Sequence, residues 1–463
     1  MIEVGEIAVL LLGACAPAKP AATPAPSVPA ATAAPSQTAV PTDEPAGVGV
    51  PAFEYTDYGT QLAVVSSLSG KPLPGFESKT LGQDYSYAFA SDGHMLAVAS
   101  AGQLYLVDLP AWTIRQVDIE LFGWISVVAF SRDGARVAVA SGEPDAGLRL
   151  IDTKSATVTA SAQAGFAVRN ASFTSDGKAL MVYGPRLALS GQEANVGVST
   201  GAPKAELLSL TDLHPLWSVD LNGIRDGTFP KQPNTPDLYQ PGVAWHYSPA
   251  IAFATQADML YAVHGDEDKL TTVDFTRRKV STVGIQVKTS WLDQLLAMTA
   301  DVAHAKGEDG TTKQGMISPD GKHLYVIGTT SKATKNGDNW EFTFTPLGLE
   351  VVAVEDGTLE QKVDSQATMA QLSPDGQHIF LQGWNQDSST PWTDIYDAAS
   401  GKMIKHMDGL QLTPVRRLDG VVMLESSAML TNSECDMAAV DAISFWIVSS
   451  WSAPQCVGWM GEG

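Results

Sequence analysis

Eight histidines and three cysteines carry the widest chemical repertoire in this chain of 463 residues. His246 and His304 stand in long aperiodic stretches, and His264 opens the acidic turn His264-Gly-Asp-Glu-Asp268. None has a second histidine at the spacing that holds zinc or another transition metal. Asp266, Glu267 and Asp268 could attract Ca²⁺ weakly but lack the alternating oxygen ligands of a calcium loop. The expected cofactor is therefore none, with calcium as the one metal the run would draw. Gly197-Val-Ser-Thr-Gly201 spells the Gly-x-Ser-x-Gly nucleophile elbow. That elbow works because a strand feeds a helix under strain, and no helical period follows here, so the match is read as chance. No zinc-peptidase, P-loop, Rossmann or Cys-x-x-Cys pattern occurs, and no residue is assigned a catalytic role.

The aromatic residues offer a different chemistry. Phe229, Tyr239, Trp245 and Tyr247 fall in one long stretch, Trp291 in a second, Trp340, Phe342 and Phe344 in a third, and Trp384 and Trp392 in a fourth. Tryptophan and tyrosine supply large amphipathic area and dominate protein interfaces. Tyr239, Trp245, His246, Trp291, Trp340, Trp384 and Trp392 are the binding residues expected from this distribution.

What must position them is a repeat. Phe89-Ala-Ser-Asp-Gly93, Phe130-Ser-Arg-Asp-Gly134, Phe173-Thr-Ser-Asp-Gly177, Ile317-Ser-Pro-Asp-Gly321 and Leu372-Ser-Pro-Asp-Gly376 each link two apolar, β-rich runs. The aspartate can bond its own turn and the glycine can take the positive φ of a tight hairpin. After each turn comes an apolar run such as Met95-Leu-Ala-Val-Ala99, then a run ending near an aspartate such as Leu104-Tyr-Leu-Val-Asp108, then a closing run. Four short strands per unit with no helical period predict an all-β fold, a β-propeller. First hairpins begin near Ser86, Ser126, Val168, Pro249, Gln314, Thr368 and Thr413, which predicts seven blades. The segment from Gln61 to Lys71 resembles an outer hairpin without its inner one, so eight is the alternative.

In these phrases the chain resembles the superfamily of bacterial propellers with Ser-Pro-Asp-Gly repeats, which has WD40-like, TolB-like and YVTN-type members. The resemblance covers roughly Phe53 to the C-terminus. It implies the fold. Its members include partner-binding scaffolds, surface proteins, lactonases and the heavy chains of amine dehydrogenases, so it leaves function open. No blade carries the Gly-His and Trp-Asp pair of true WD40 repeats.

Residues 1–15 read as a signal segment. Ile7 to Ala14 form a short apolar run ending in Leu12-Gly-Ala-Cys15, which resembles a lipobox with Cys15 as the lipidated residue, although Glu3 and Glu6 stand where an export signal is normally basic. Residues 16–52 are almost entirely Ala, Pro, Thr, Ser and Val, a tether that cannot bury a core. Residues 53–463 form the propeller. Several acyl chains, at about 0.8 kcal/mol per buried methylene, would anchor such a chain durably. Cys435 and Cys456 then remain, and a pair of thiols near one end of an exported domain is expected to form a disulfide.

With 29 basic and 51 acidic residues the net charge is −22, which repels phosphate backbones and excludes nucleic acid as a partner. The long stretches, Gly184 to Lys204, Asn222 to Tyr247, Gly284 to Gln314, Thr329 to Leu347 and Gly383 to Thr393, fall between second and third strands or between blades. In a propeller both kinds of loop emerge on one face, opposite the tight Asp-Gly turns. Long loops gathered on one face of a rigid scaffold usually carry binding. One stretch predicts a helix, from the capping pattern Ser290-Trp-Leu-Asp293 to Gly307. The expectation is an extracytoplasmic propeller, attached to the membrane through a lipid only, that binds another envelope or surface protein, or a surface polymer, through its loop-rich face. The alternative is an enzyme of lactonase, lyase or dehydrogenase-subunit type, with His246, Arg225 or Asp226 converging at the channel mouth.

Overall fold

The computed structural model describes residues 49–463 apart from 57–58, 83–84, 101, 122–123, 144–146, 190–196, 233–241, 288–308, 338, 386–389, 419–421, 430–434, 454–456 and 461–463. Cys15, the lipobox and most of the tether lie outside them. Among the described residues the only helical element is the short 3-10 turn Thr255–Ala257; the rest of the regular structure is strand.

The strands form a β-propeller, and most of its sheets are antiparallel meanders of four strands taken in chain order. The second sheet shows the pattern: Tyr85–Phe89, Met95–Ser100, Gln103–Asp108 and Thr113–Asp118, paired in that order. The third runs from Ile125–Phe130 to Thr157–Gln163, the fourth from Asn170–Phe173 to Pro215–Asp220, and the fifth from Ala250–Ala254 to Lys279–Gly284. The sixth is built on Gly310–Ile317, His323–Asn336, Asn339–Ala353 and Thr358–Val363. The seventh runs from Met369–Leu372 to Met403–Asp408 and the eighth from Leu412–Arg416 to Ile447–Ala453.

The first sheet corrects the expectation of seven blades. It holds Gly49–Thr56, Gly59–Ser66 and Lys79–Thr80 from one end of the described chain, and Val457–Trp459 from the other. Ala52, Phe53 and Glu54 pair with Trp459, Gly458 and Val457. Among the described residues the strands therefore pair into eight sheets, seven of four strands and one of nine. Counting Asp-Gly phrases misses the first sheet, because the sequence between its paired strands Gly49–Thr56 and Gly59–Ser66 lacks that phrase and its remaining strand is supplied from far along the chain.

Eight apolar clusters sit between neighbouring sheets and close the cycle. Phe53 and Leu62 of the first sheet meet Leu96 and Val98 of the second, and Val50 and Val65 meet Val415 and Met437 of the eighth. Successive side chains of a strand point to opposite faces. Leu96 and Val98 accordingly join the cluster on one side of the second sheet, while Ala97 and Ala99 join the cluster on the other. Burial on both faces is why these strands read as unbroken apolar runs rather than as an alternation. Met460, fully buried just beyond the last strand, packs in the cluster that joins the first two sheets. Met460→Ala is expected to cost about 2–4 kcal/mol by the cavity it leaves, measured as a lowered midpoint of denaturant unfolding with the slope unchanged.

The repeated turn has one geometry. Gly93, Gly134, Gly177, Gly321 and Gly376 have φ between 66° and 71°. The aspartate accepts the backbone N–H two residues on, at 2.9 Å from His94 and 3.0 Å from Lys178. Where serine or threonine stands two residues before the aspartate, its hydroxyl donates to the carboxylate, as Ser131 does to Asp133 at 2.7 Å and Ser318 to Asp320 at 2.6 Å. These hydroxyls hold Asp133, Asp176 and Asp320 below the ordinary carboxylate range, each seconded by the turn N–H. Their folded pKa lies below the unfolded one, so their contribution is complete above the unfolded value, near 4, and is lost as pH falls through the folded one. Asp176→Asn should therefore shallow the fall in Tm between about pH 5 and pH 2 relative to wild type, read by thermal melts across that range.

Candidate binding face and channel

The tight turns and the long stretches leave the sheets at opposite ends, and four of the five long stretches join in one sheet. Leu187–Leu189 pairs with Gly197–Ser199 within the first stretch, and Val198 pairs in parallel with Thr228 of the second. Gly227–Pro230 pairs with Ala244–Ser248, and His246, Tyr247 and Ser248 pair in parallel with Gly310, Thr311 and Thr312. Gly310–Ile317 is the inner strand of the sixth sheet, whose second and third strands run on into a hairpin from Thr329 to Pro346. Nine strands become continuous: four added at the inner edge of the sixth sheet, and Gln286–Val287 at its outer edge.

Asp309 pins the junction. Its N–H donates to Ser331 at 2.7 Å, its carbonyl accepts from the N–H of His246 at 2.9 Å, and its carboxylate accepts from the N–H of Ala333 at 2.6 Å and pairs with Lys231. The Lys231 ammonium also lies 5.9 Å from the centre of the Trp245 ring. Gly310 packs so closely on His246 that a Cβ would come within 2.3 Å of its carbonyl oxygen, so glycine is required at this crossing.

The projecting hairpin carries Trp340, Phe342 and Phe344 at every second position of one strand, hence on one face. They are 38 %, 45 % and 58 % exposed. Across from them stand Lys335, Ala333 and Ser331, and the Lys335 ammonium lies 6.0 Å from the centre of the Trp340 ring. Trp384 is exposed near the far end of a second hairpin, opposite Pro391. Trp392 is half-buried on that hairpin, its ring 6.2 Å from His406. Trp245 and His246 lie on Ala244–Ser248. The structure thus brings Trp245, His246 and Trp340 onto the nine-stranded sheet and leaves Trp384 and Trp392 on the neighbouring seventh sheet. Tyr239, Trp291, His304 and the helix expected over 290–307 lie outside the described residues, as does Cys456. Cys435 opens the strand Cys435–Val440, and its side chain is outside them too.

The groups that an enzyme at the channel mouth would need have separate partners. His246 Nδ1 is 3.1 Å from the Thr228 hydroxyl, and burial holds its imidazole below the ordinary value against the pull of Asp309. Arg225 pairs with Asp266 at 3.3 Å and lies over the rings of Phe229 and Tyr247. Asp226 pairs with Arg169. Gly197-Val-Ser-Thr-Gly201 feeds no helix: Gly197–Ser199 is a strand in the joined sheet, and the Ser199 hydroxyl donates to the Gly201 carbonyl at 3.1 Å.

A cavity of about 380 Å³ lies along the inner strands of the second to fifth sheets, lined among others by Tyr85, Tyr87, Ser126, Arg169, Asn170 and Phe253. Neighbouring inner strands are stitched by serine: the hydroxyl of Ser86 donates to Ile125 at 2.6 Å, and that of Ser126 donates to Val168. Arg169 stands just before the inner strand of the fourth sheet and gives Nη1 to Asp226, which is 1 % exposed. The fully buried Tyr183 donates its hydroxyl to the other carboxylate oxygen at 2.8 Å. Burial pushes the Asp226 carboxyl up, opposed first by Arg169 and then by this hydrogen bond.

Sequence reasoning did not single out Arg169, whose neighbours in the chain read as an ordinary inner strand. It also missed an apolar turn at the opposite end of the eighth sheet, where Ile443 and Trp446 are 89 % and 73 % exposed. Asp441 there accepts from Ser444 as Asp152 does from Ser155 and Asp397 from Ser400, so the turn needs neither large side chain. The same Asp-x-x-Ser spacing in all three was the available signal.

No family model matches the sequence, and no curated protein matches it. Among solved structures the fold is similar to Kuenenia stuttgartiensis hydrazine synthase, at 12 % identity over 82 % of this chain and 99 % of that one, with a TM-score of 0.42. It is also similar to the Cps50 (Swd1) β-propeller domain of Myceliophteria thermophila, at 14 % identity over 79 % of this chain and 96 % of that domain, with a TM-score of 0.40.

Proposed function

We propose that this chain is a membrane-anchored, extracytoplasmic scaffold that holds another envelope protein against its insertion-bearing face. The observation that carries the reading is the joining of four separate insertions into one sheet, with an exposed aromatic row on the one that projects as a hairpin. Loops that only connected strands would not need a common sheet, and isolated surface rings would not need a common face. Exposed aromatic residues on a rigid support are the usual anchors of an interface. No helix among the described residues is long and apolar enough to cross a membrane, and the reading places attachment at the lipidated Cys15.

Gentle detergent extraction from the native cells, followed by native-gel separation and mass spectrometry, tests the scaffold. A protein that co-migrates in fixed ratio supports it. A lone species, or one that co-migrates only with envelope polymer, contradicts the choice of a protein partner.

A further inference from the structure

We infer that the cavity along the inner strands of the second to fifth sheets binds a small, flat, uncharged molecule that carries an amide or lactam group. The walls set the shape and the polar groups set the chemistry. Tyr85, Tyr87 and Phe253 are among the lining residues, and about 380 Å³ accommodates one or two fused rings. Arg169 uses Nη1 on Asp226, and its Nε and Nη2 have no acceptor among the described residues. The side-chain amide of Asn170, also on the cavity wall, has no partner among the described residues either.

A guanidinium edge donates only, whereas a carboxamide both donates and accepts. An amide or lactam satisfies both: its carbonyl accepts from Arg169, and its N–H donates to the Asn170 carbonyl. Asp226 selects against an anion. It already neutralises Arg169 from a position 1 % exposed, so a carboxylate ligand would bring an uncompensated charge into a chain of net charge −22. The buried Tyr183 hydroxyl and Asp226 hold the guanidinium in place before any ligand arrives, which lowers the ordering cost of binding. This site is independent of the docking of a protein on the insertion-bearing face.

Ligand-observed saturation-transfer NMR on the full chain, with benzamide, 2-pyridone and benzoate as probes, tests the inference. Benzamide and 2-pyridone are expected to bind saturably, with benzoate at least about tenfold weaker. Arg169→Lys keeps the ion pair with Asp226 but loses the planar fork, and should weaken the neutral probes about tenfold. Asn170→Ala removes the carboxamide on the cavity wall and should weaken them about tenfold as well; circular dichroism melts of both variants check that the fold persists. No saturable binding of the neutral probes, benzoate binding as tightly as benzamide, or binding unchanged in a folded Asn170→Ala would each overturn it.

Discussion

Replacing Trp340, Phe342 and Phe344 together by serine is expected to weaken capture of the partner by more than about a hundredfold, since central aromatic anchors are typically worth 2 kcal/mol or more each. The same triple variant should unfold within about 1 kcal/mol of wild type, because exposed side chains away from a packed core contribute little to stability. The two readouts separate a docking role from a packing role. The strand carrying these residues keeps its register through backbone pairing with Lys335, Ala333 and Ser331, which the substitutions do not touch. Glu341 and Thr343 alternate with them on the other face of the same strand. Serine at those two positions is expected to leave capture unchanged, and a loss as large as that of the aromatic row would mean that the hairpin acts by its backbone alone.

Arg169→Ala should cost about 3 kcal/mol of stability at pH 7, because it leaves a buried carboxylate without its countercharge. The dependence on pH identifies the cause. Burial already raises the Asp226 carboxyl, and Arg169 is the first influence that opposes it. In the variant the folded pKa rises further above the unfolded one. The folded state then favours protonated Asp226, and stability falls as pH rises from the unfolded value toward the folded one. The deficit is expected to be smallest near pH 4 and largest at neutral pH, measured by urea unfolding at each. Adding Asp226→Asn to Arg169→Ala removes the buried charge and should recover part of the loss at pH 7 with little pH dependence. A deficit equal at both pH values would assign Arg169 to packing instead.

The architecture was legible because its local chemistry repeats. The Asp-Gly phrase sets a hairpin wherever it occurs, and the seven first hairpins expected from Ser86 to Thr413 correspond to inner strands from Tyr85–Phe89 to Leu412–Arg416. The remaining sheet was not legible as such, since Val457–Trp459 finds its partner only after some four hundred residues of chain have curved back on themselves. Spacing likewise located the long stretches, and turn counting placed them on one end of the sheets. It could not show that Val198 pairs with Thr228 or that His246 pairs with Gly310, because parallel pairs between distant segments leave no local period. The aromatic row was partly legible: alternation put Trp340, Phe342 and Phe344 on one side of a strand, but exposure was not written in it. Trp392 has the same residue type and a comparable position, yet a half-buried seat beside His406. Arg169 and Asp226 are 57 residues apart and meet only when the fourth sheet and the joined sheet are both in place.

Cross-linking mass spectrometry on the protein extracted with its partner from native cells addresses the central claim most directly, because exposed lysines stand at both ends of the sheets. Lys332 and Lys335 lie on the projecting hairpin, whereas Lys154, Lys178, Lys322 and Lys402 lie at the tight turns. Links to the partner concentrated on Lys332 and Lys335 are the predicted result. Links concentrated on the four lysines of the tight turns, with the hairpin lysines unlinked, would place the partner on the opposite face and contradict the account.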